Sequence, residues 1–472
     1  MTEATITPAG DVLARMDEAK LTPLHWRIMF ISGMGFFTDA YDLFIIGVAM
    51  ALIKEEWRIS PYEQGLVAST ALLASAVGAV LFGRIADMLG RKRIYGYEEL
   101  VLAIGALASA FSPNIWWLIF FRVILGVGIG GDYPVSSTIM SEYASKATRG
   151  MMVTLVFTMQ AAGLVFAPLL AAALLTTSLS HDTIWRFLLA FGAVPAMAVF
   201  QMRRRMCETP RYLLATGRKD AFAAAATHVL DDIDGKDCPP VVDQPARVDE
   251  PFWRGFWTLI CDRAFLVRLI GASLAWAFMD FAYYGNTVSS PMVLAAISPD
   301  KSLLSRTLMQ LAIFAIAAAP GYLFAAATMD RLGRKTIQMV GFVMMAVTFG
   351  AIALIPDVEH LVVPFLIVYG VSYFFTEFGP NSTTFVYPAE IFPVKARTTG
   401  HGVAAAAGKL GAFLGVFLFP ILMAWGGLFA AEAAAAIVSV LGAIVTLAML
   451  PETKGMSLEE LNREPALADA RT

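Results

Sequence analysis

The stretch GRIADMLGRKR at 83–93 returns as AATMDRLGRKT at 326–336, 243 residues further on. Asp87 aligns with Asp330, Gly90 with Gly333, Arg91 with Arg334 and Lys92 with Lys335. Two other pairs keep nearly the same offset: ETPR at 208–211 with ETKG at 452–455, and Glu142 with Arg149 against Glu390 with Arg397. Three independent matches at one offset mark an internal duplication, so the chain reads as two related halves.

The composition says what each half is made of. Of 472 residues 58% are apolar and only 15% charged, whereas soluble chains are about half apolar and a quarter charged. A bilayer core about 30 Å thick takes roughly 20 apolar residues per helical crossing, and the alternation of a membrane β-barrel is missing. Apolar runs fall near 27–53, 64–88, 94–112, 116–143, 149–177 and 184–202, then near 264–293, 305–328, 335–355, 361–388, 397–424 and 428–450. The expected fold is therefore an all-α membrane protein of twelve transmembrane helices in two pseudo-symmetric six-helix halves, 27–202 and 264–450.

Lysine and arginine collect in alternate loops: Arg91, Lys92 and Arg93, then Lys146 and Arg149, then Arg331, Arg334 and Lys335, then Lys395 and Arg397. The opposite loops hold only Lys54, Arg58, Lys301 and Arg306. Since basic loops stay on the cytoplasmic side, the N-terminal segment 1–26, the linker 203–263 and the tail 451–472 are placed there, in a multi-pass plasma (inner) membrane protein. The centre of the linker, DDIDGKDCPPVVDQPARVDEP, is too rich in Asp and Pro to bury an apolar face. A short amphipathic helix within 211–230 is expected on the membrane surface. Cys207, Cys238 and Cys261 all fall in or beside this segment, which excludes a disulfide scaffold and reads most simply as reduced thiols. The first 24 residues contain no apolar run of the kind a cleavable signal requires. With 35 basic against 38 acidic residues, nothing electrostatic points to nucleic acid.

A charged group at bilayer depth costs at least about 2.5–3.5 kcal/mol on insertion scales, so each one is a candidate functional residue. Asp39 and Asp42 stand on one face in GFFTDAYDLFIIG; Arg122, Asp132 and Tyr133 share the fourth run; Gln160 is in the fifth. Arg122 and Asp132 read either as an interior ion pair that holds helices together or as part of a polar route. In WAFMDFAYYG, Trp276, Asp280 and Tyr284 recur at i, i+4 and i+8, setting an indole, a carboxyl and a phenol on one face. The tenth run carries Glu377, a Gly-Pro break and Asn381, and the eleventh Lys409. The duplication maps Tyr133 onto Asn381 and Asp39 onto Asp280, which is where a central cavity between two halves would place polar groups. Asp87 with its Arg-Lys loop reads as a latch between helices. No phosphate-binding loop, metal-ligand spacing or nucleophile with an adjacent base occurs, so an ATP-driven pump, a metal, a cofactor and an enzyme are all disfavoured.

The loop G-x-x-x-D-x-x-G-R-K, complete as Gly83, Asp87, Gly90, Arg91 and Lys92, resembles the signature of the major facilitator superfamily. The second copy keeps Asp330, Gly333 and Arg334 but has Ala326 for the first glycine. DAYDLFIIG, GGDYPVSSTIMSEYA, FTMQAAG, the W-x-x-x-D-x-x-x-Y of the seventh run and GPNSTTFVYPAEIFPVKARTTGHGVAAAAGKLGA together resemble the phosphate:proton symporters of that superfamily. The resemblance implies alternating access, inorganic phosphate and protons as partners, no cofactor and function as a monomer. It implies phosphate contacts at Tyr133, Gln160, Trp276, Asp280, Tyr284 and Asn381. It also implies proton coupling through Asp39, Asp42, Asp132, Arg122, Asp280 and Lys409. Another small carboxylic or aromatic acid, or a non-transporting phosphate receptor, remain the alternatives.

Overall fold

The computed structural model describes residues 9–218, 221–222, 224–225, 251, 253–355 and 361–462. The centre of the linker, with Cys238, lies outside them.

Ten helices among the described residues are long and apolar enough to cross a membrane. The first half contributes α1 (Pro23–Trp57), α2 (Pro61–Leu89), the short α3 (Tyr97–Ala110), α4 (Ile115–Tyr143), α5 (Arg149–Leu175) and α6 (His181–Arg204). The second contributes α7 (Arg263–Val288), α8 (Leu303–Leu332), α9 (Arg334–Leu354) and α10 (Val362–Ile391). Helix Arg397–Met449 is continuous except at Gly426 and Gly427, whose non-helical backbone divides it into α11 (397–425) and α12 (428–449). With α3 and this division counted, the twelve crossings expected from the sequence are present. Buried polar side chains share the interior with a large apolar core, while further apolar side chains such as Leu81, Phe120, Leu323 and Ile367 are exposed on the outside where lipid would lie.

Helix starts follow their caps. Ser60 and Glu63 exchange side-chain and backbone hydrogen bonds at the start of α2, and Asn114 accepts from the first amides of α4. Glycines set how closely helices cross. A side chain at Gly126 or Gly130 in α4 would run into the backbone of α2, and one at Gly411 or Gly415 in α11 into that of α7. The α11–α7 approach repeats in the first half, where a side chain at Gly163 in α5 would strike the backbone of α1 at Phe37.

Two expectations change here, although residues 219–220, 223 and 226–230 of the segment expected on the membrane surface lie outside the described residues. The helix Pro210–Ala215 is buried, with Pro210, Arg211, Tyr212 and Leu213 covered, because Arg211 is drawn inward by Asp17 at 2.7 Å and by Glu459. The amphipathic surface helix is instead Arg254–Cys261, which leaves Trp253, Trp257 and Ile260 exposed. Cys207 is disulfide-bonded rather than reduced, whereas Cys261 is free and exposed.

Candidate functional site

The two copies of the loop motif build two matching latches at the basic end of the bundle. Asp87 accepts from the Thr399 amide at 2.7 Å, the Thr399 hydroxyl at 2.6 Å and the Thr398 hydroxyl, capping the first turn of α11. Asp330 accepts from the amides of Gly150 at 3.1 Å and Met151 at 2.8 Å, capping the first turn of α5. Each half thus places a carboxylate on a helix N-terminus of the other half, where free N–H groups favour negative charge. Behind each carboxylate sits an arginine: Arg91 reaches Asp87 and Glu142 at 3.2 Å each, and Arg334 reaches Asp330 at 2.9 Å and Glu390 at 2.6 Å.

The same symmetry explains the glycines and the E-T motif. Gly90 and Gly333 adopt φ of 103° and 90°, which disfavours any residue with a side chain. A side chain there would also strike Glu208 or Glu452. Glu208 accepts from the Lys92 amide at 3.2 Å, and Glu452 from the amides of Arg334 at 3.0 Å and Lys335 at 3.1 Å. Burial pushes the Glu208 carboxyl up to about 7, with Arg91 acting against the shift. Gly83 lets α2 touch the backbone of α11 at Thr398; its counterpart Ala326 is buried.

At the centre, Lys409 of α11 gathers the candidate ligands of both halves. Its ammonium lies 3.5 Å from an Asp280 oxygen and donates to the hydroxyls of Tyr133 and Tyr284, each at 3.0 Å. It also lies over the faces of the same two rings, at 4.1 and 4.5 Å. Gln160 donates to Tyr133 at 3.4 Å, Tyr322 donates to Gln160 at 2.7 Å, and Asn381 donates to Tyr322 at 2.8 Å. Trp276 borders Tyr133 at 6.0 Å between ring centres and interacts with Asp280 one turn away. Gly408 leaves room for the indole, since a side chain there would overlap it. The six residues expected to bind an anion are therefore one hydrogen-bonded and packed cluster in the seam between halves, all buried. Asp280 faces that seam and not the lipid; its cation comes from another helix, which inspection of its own helix did not reveal.

The proposed proton-coupling residues divide. Asp39 and Asp42 are fully buried, and none of their four carboxylate oxygens has a hydrogen-bond partner among the described residues. Arg122 does not pair with Asp132; it donates to the Asp42 carbonyl at 3.1 Å. Asp132 pairs with Arg203 at 2.7 Å, and the same guanidinium holds Glu98 at 2.9 Å and Glu99 at 3.1 Å. The ion pair read from helix four alone is thus corrected. Arg203, the first position of the expected linker 203–263, instead lies in the last turn of α6 and inside the bundle, its guanidinium over the Tyr95 ring. Glu98 and Glu99, two acids inside an apolar run, were the signal. Gly35 makes the approach possible, since a side chain there would occupy the place of Arg203 and Asp132.

Residues 28–464 match the family described as "Sugar (and other) transporter". The chain belongs to that family. It is 36% identical to a putative inorganic phosphate transporter 1-13 of Oryza sativa subsp. japonica over 96% of this chain and 94% of that protein. It is 34% identical to a probable inorganic phosphate transporter 1-6 of Arabidopsis thaliana over 96% of each. Its fold is that of the major facilitator superfamily proton:xylose symporter XylE bound to 6-bromo-6-deoxy-D-glucose, with TM-score 0.77 at 20% identity over 93% of this chain and 98% of that one. The resemblance read from the loop motif and the GGDYP and GPNSTTF segments is borne out, and the chain is a multi-pass membrane transporter.

Proposed function

We propose that the chain is an inorganic phosphate:proton symporter working by alternating access, in which 27–202 and 264–450 rock about the seam that holds Lys409. The observation that carries this reading is the Asp280–Lys409 pair at 3.5 Å, flanked by the phenols of Tyr133 and Tyr284. Empty, the site is charge-balanced. An arriving oxyanion draws Lys409, the two phenols, the Trp276 indole and the amides of Gln160 and Asn381 to its oxygens, as strong charge-assisted and neutral donors. Asp280 then stands beside a second negative charge, which repels it unless a proton binds between them. Anion and proton consequently bind together and leave together: loss of the proton from Asp280 returns Lys409 to its carboxylate and expels the anion.

Asp39, Asp42, Asp132 and Arg122, with Arg203 and its acids, form the polar route in the first half by which the proton reaches or leaves the seam. The Asp87 and Asp330 latches hold one end closed; breaking both lets the halves separate there. The basic loops assign that end, both termini and the linker to the cytoplasmic side of a plasma (inner) membrane. The hydrogen-bonded cluster draws on the two halves of one chain, so a monomer suffices. Names of relatives point to phosphate, and the donor set of phenols, indole, amides and one lysine suits a small oxyanion.

An aromatic or carboxylic acid is the second reading, favoured by the wall of Phe36, Phe157 and Phe385 around Tyr133, with Phe36 at 5.1 Å from its ring. Uptake of labelled phosphate into proteoliposomes with an acid exterior separates the two. Saturable uptake unaffected by excess benzoate is expected; uptake that benzoate abolishes and unlabelled phosphate does not would refute the phosphate reading.

A further inference from the structure

The seam between α7, α10 and α12 holds a second acidic system that coupling through Asp280 leaves idle. Glu377 sits where α10 opens at Gly379 and Pro380. It is fully buried, one carboxylate oxygen accepts from the Asn381 amide, and the other has no well-formed hydrogen bond among the described residues. The groups that face it are Tyr283 and Asp280 from α7, Tyr322 from α8, and Tyr373 one turn back on α10. Among the described residues no ion pair reaches it.

From Glu377 a file of polar groups leads towards the end of the bundle opposite the latches, where α10 begins at Val362. Tyr283 borders Tyr373 at 6.4 Å between ring centres, and the hydroxyls of Tyr373 and Tyr369 lie 3.4 Å apart. Tyr369 donates to the Asn286 carbonyl at 3.2 Å, and the Asn286 side chain adjoins Glu432 of α12. Glu432 is buried, faces Asn286, Tyr369 and Tyr373, forms no ion pair among the described residues, and neither of its oxygens has a well-formed hydrogen bond. Two buried carboxyls without a cation, joined by phenols, are costly as a mere packing arrangement. They are suited to passing protons.

We propose that Glu377 is a second proton carrier of the transport cycle, loaded through Glu432, Tyr369 and Tyr373 from the side opposite the latches. This rests on the symport reading and extends it to the second half of the molecule. A proton arriving at Glu432 forms a carboxyl O–H. Each phenol passes its own proton inward as it takes up the one behind it, so no net charge stays on the file. The last transfer forms an O–H on Glu377, which then meets an anion held by Asn381 as a neutral acid. The chemistry mirrors that at Asp280, from the other side of the bound anion.

The test uses the full chain in proteoliposomes with the membrane potential clamped at zero and an exterior one pH unit more acid than the interior. Each coupled proton then contributes about tenfold to the phosphate accumulation ratio. Since that ratio is an equilibrium quantity, a slower variant reaches it later but not lower. Glu377→Gln is expected to accumulate phosphate to a ratio about tenfold below that of the unaltered chain, with phosphate exchange at equal pH still measurable. An unchanged ratio overturns the proposal. Should Glu377→Gln abolish exchange, the file is tested through Tyr373→Phe and Glu432→Gln: both are expected to keep the full ratio while the initial rate of pH-driven uptake falls several-fold. Unchanged initial rates in both overturn the proposal as well. An unaltered chain that exchanges phosphate yet shows no response to the pH gradient would instead strike the symport reading itself.

Discussion

The latches and the seam are built on opposite plans. At the latches the duplication is kept position for position: Thr209 and Thr453 donate to Glu142 and Glu390, Glu208 and Glu452 accept from the amides that follow Gly90 and Gly333, and Asp87 and Asp330 each accept from the first turn of a helix in the other half. At the seam it is broken. The first half supplies Tyr133 and Gln160 as neutral donors, while the second supplies Lys409, Asp280, Tyr284, Trp276 and Asn381. Asp39, which the duplication pairs with Asp280, makes no hydrogen bond and no ion pair among the described residues. Two halves that rock need equal hinges and closures, whereas a site that couples one anion to protons needs a charge that only one half carries. Symmetry therefore marks the moving parts, and its loss marks the chemistry.

The contrast is open to attack at several points. The largest effect is expected from Asp280→Asn, which leaves a hydrogen-bonding group beside Lys409 but no proton to lose. Phosphate exchange should persist at a reduced rate while the accumulation ratio in proteoliposomes loses the roughly tenfold per pH unit that the Asp280 proton supplies. The equivalent change at the symmetry mate, Asp39→Asn, should lower the rate of coupling without removing phosphate binding, because Asp39 makes no hydrogen bond to a candidate ligand among the described residues. Next come the donors: Tyr133→Phe and Asn381→Ala should each weaken phosphate binding by about 1–3 kcal/mol, or roughly 5- to 150-fold, by isothermal titration of the purified protein.

At the latches the difference between halves should be one of degree. Asp87 accepts two hydroxyls and an amide whereas Asp330 accepts two amides. Asp87→Ala should accordingly raise hydrogen exchange over 397–402 more than Asp330→Ala raises it over 149–153. The smallest effect concerns Glu208. Its folded carboxyl holds a proton up to about 7, while an unfolded glutamate releases it near 4.5. The folded state therefore binds the extra proton between those values, so stability falls as pH rises through that window. Thermal melts of Glu208→Gln should lack this part of the slope.

Much of this was legible without coordinates, for reasons that lie in particular residues. The loop motif, its recurrence and the alternation of basic loops are local patterns, and they carry the fold. Tyr133, Asp280 and Tyr284 were legible because a polar side chain amid twenty apolar ones has few alternatives to facing the interior. Partners were not legible, since pairing depends on which helices cross. Lys409 reaches Asp280 from four helices away in the chain, Asp132 turns to Arg203 and not to Arg122 on its own helix, and Tyr322 bridges Gln160 and Asn381 although nothing around it in sequence is polar. Glu377 was visible as an acid in a Gly-Pro break four residues before Asn381, but the tyrosines that face it, Tyr283 and Tyr322, come from other helices.

The central claim is that the anion crosses only with a proton on Asp280. The direct measurement is a pH-electrode recording of the medium around proteoliposomes, started by adding phosphate in the absence of any imposed gradient. Alkalinisation that tracks phosphate uptake, and that shrinks in Asp280→Asn, is the expected result. Phosphate accumulating inside while the external pH holds steady would contradict it.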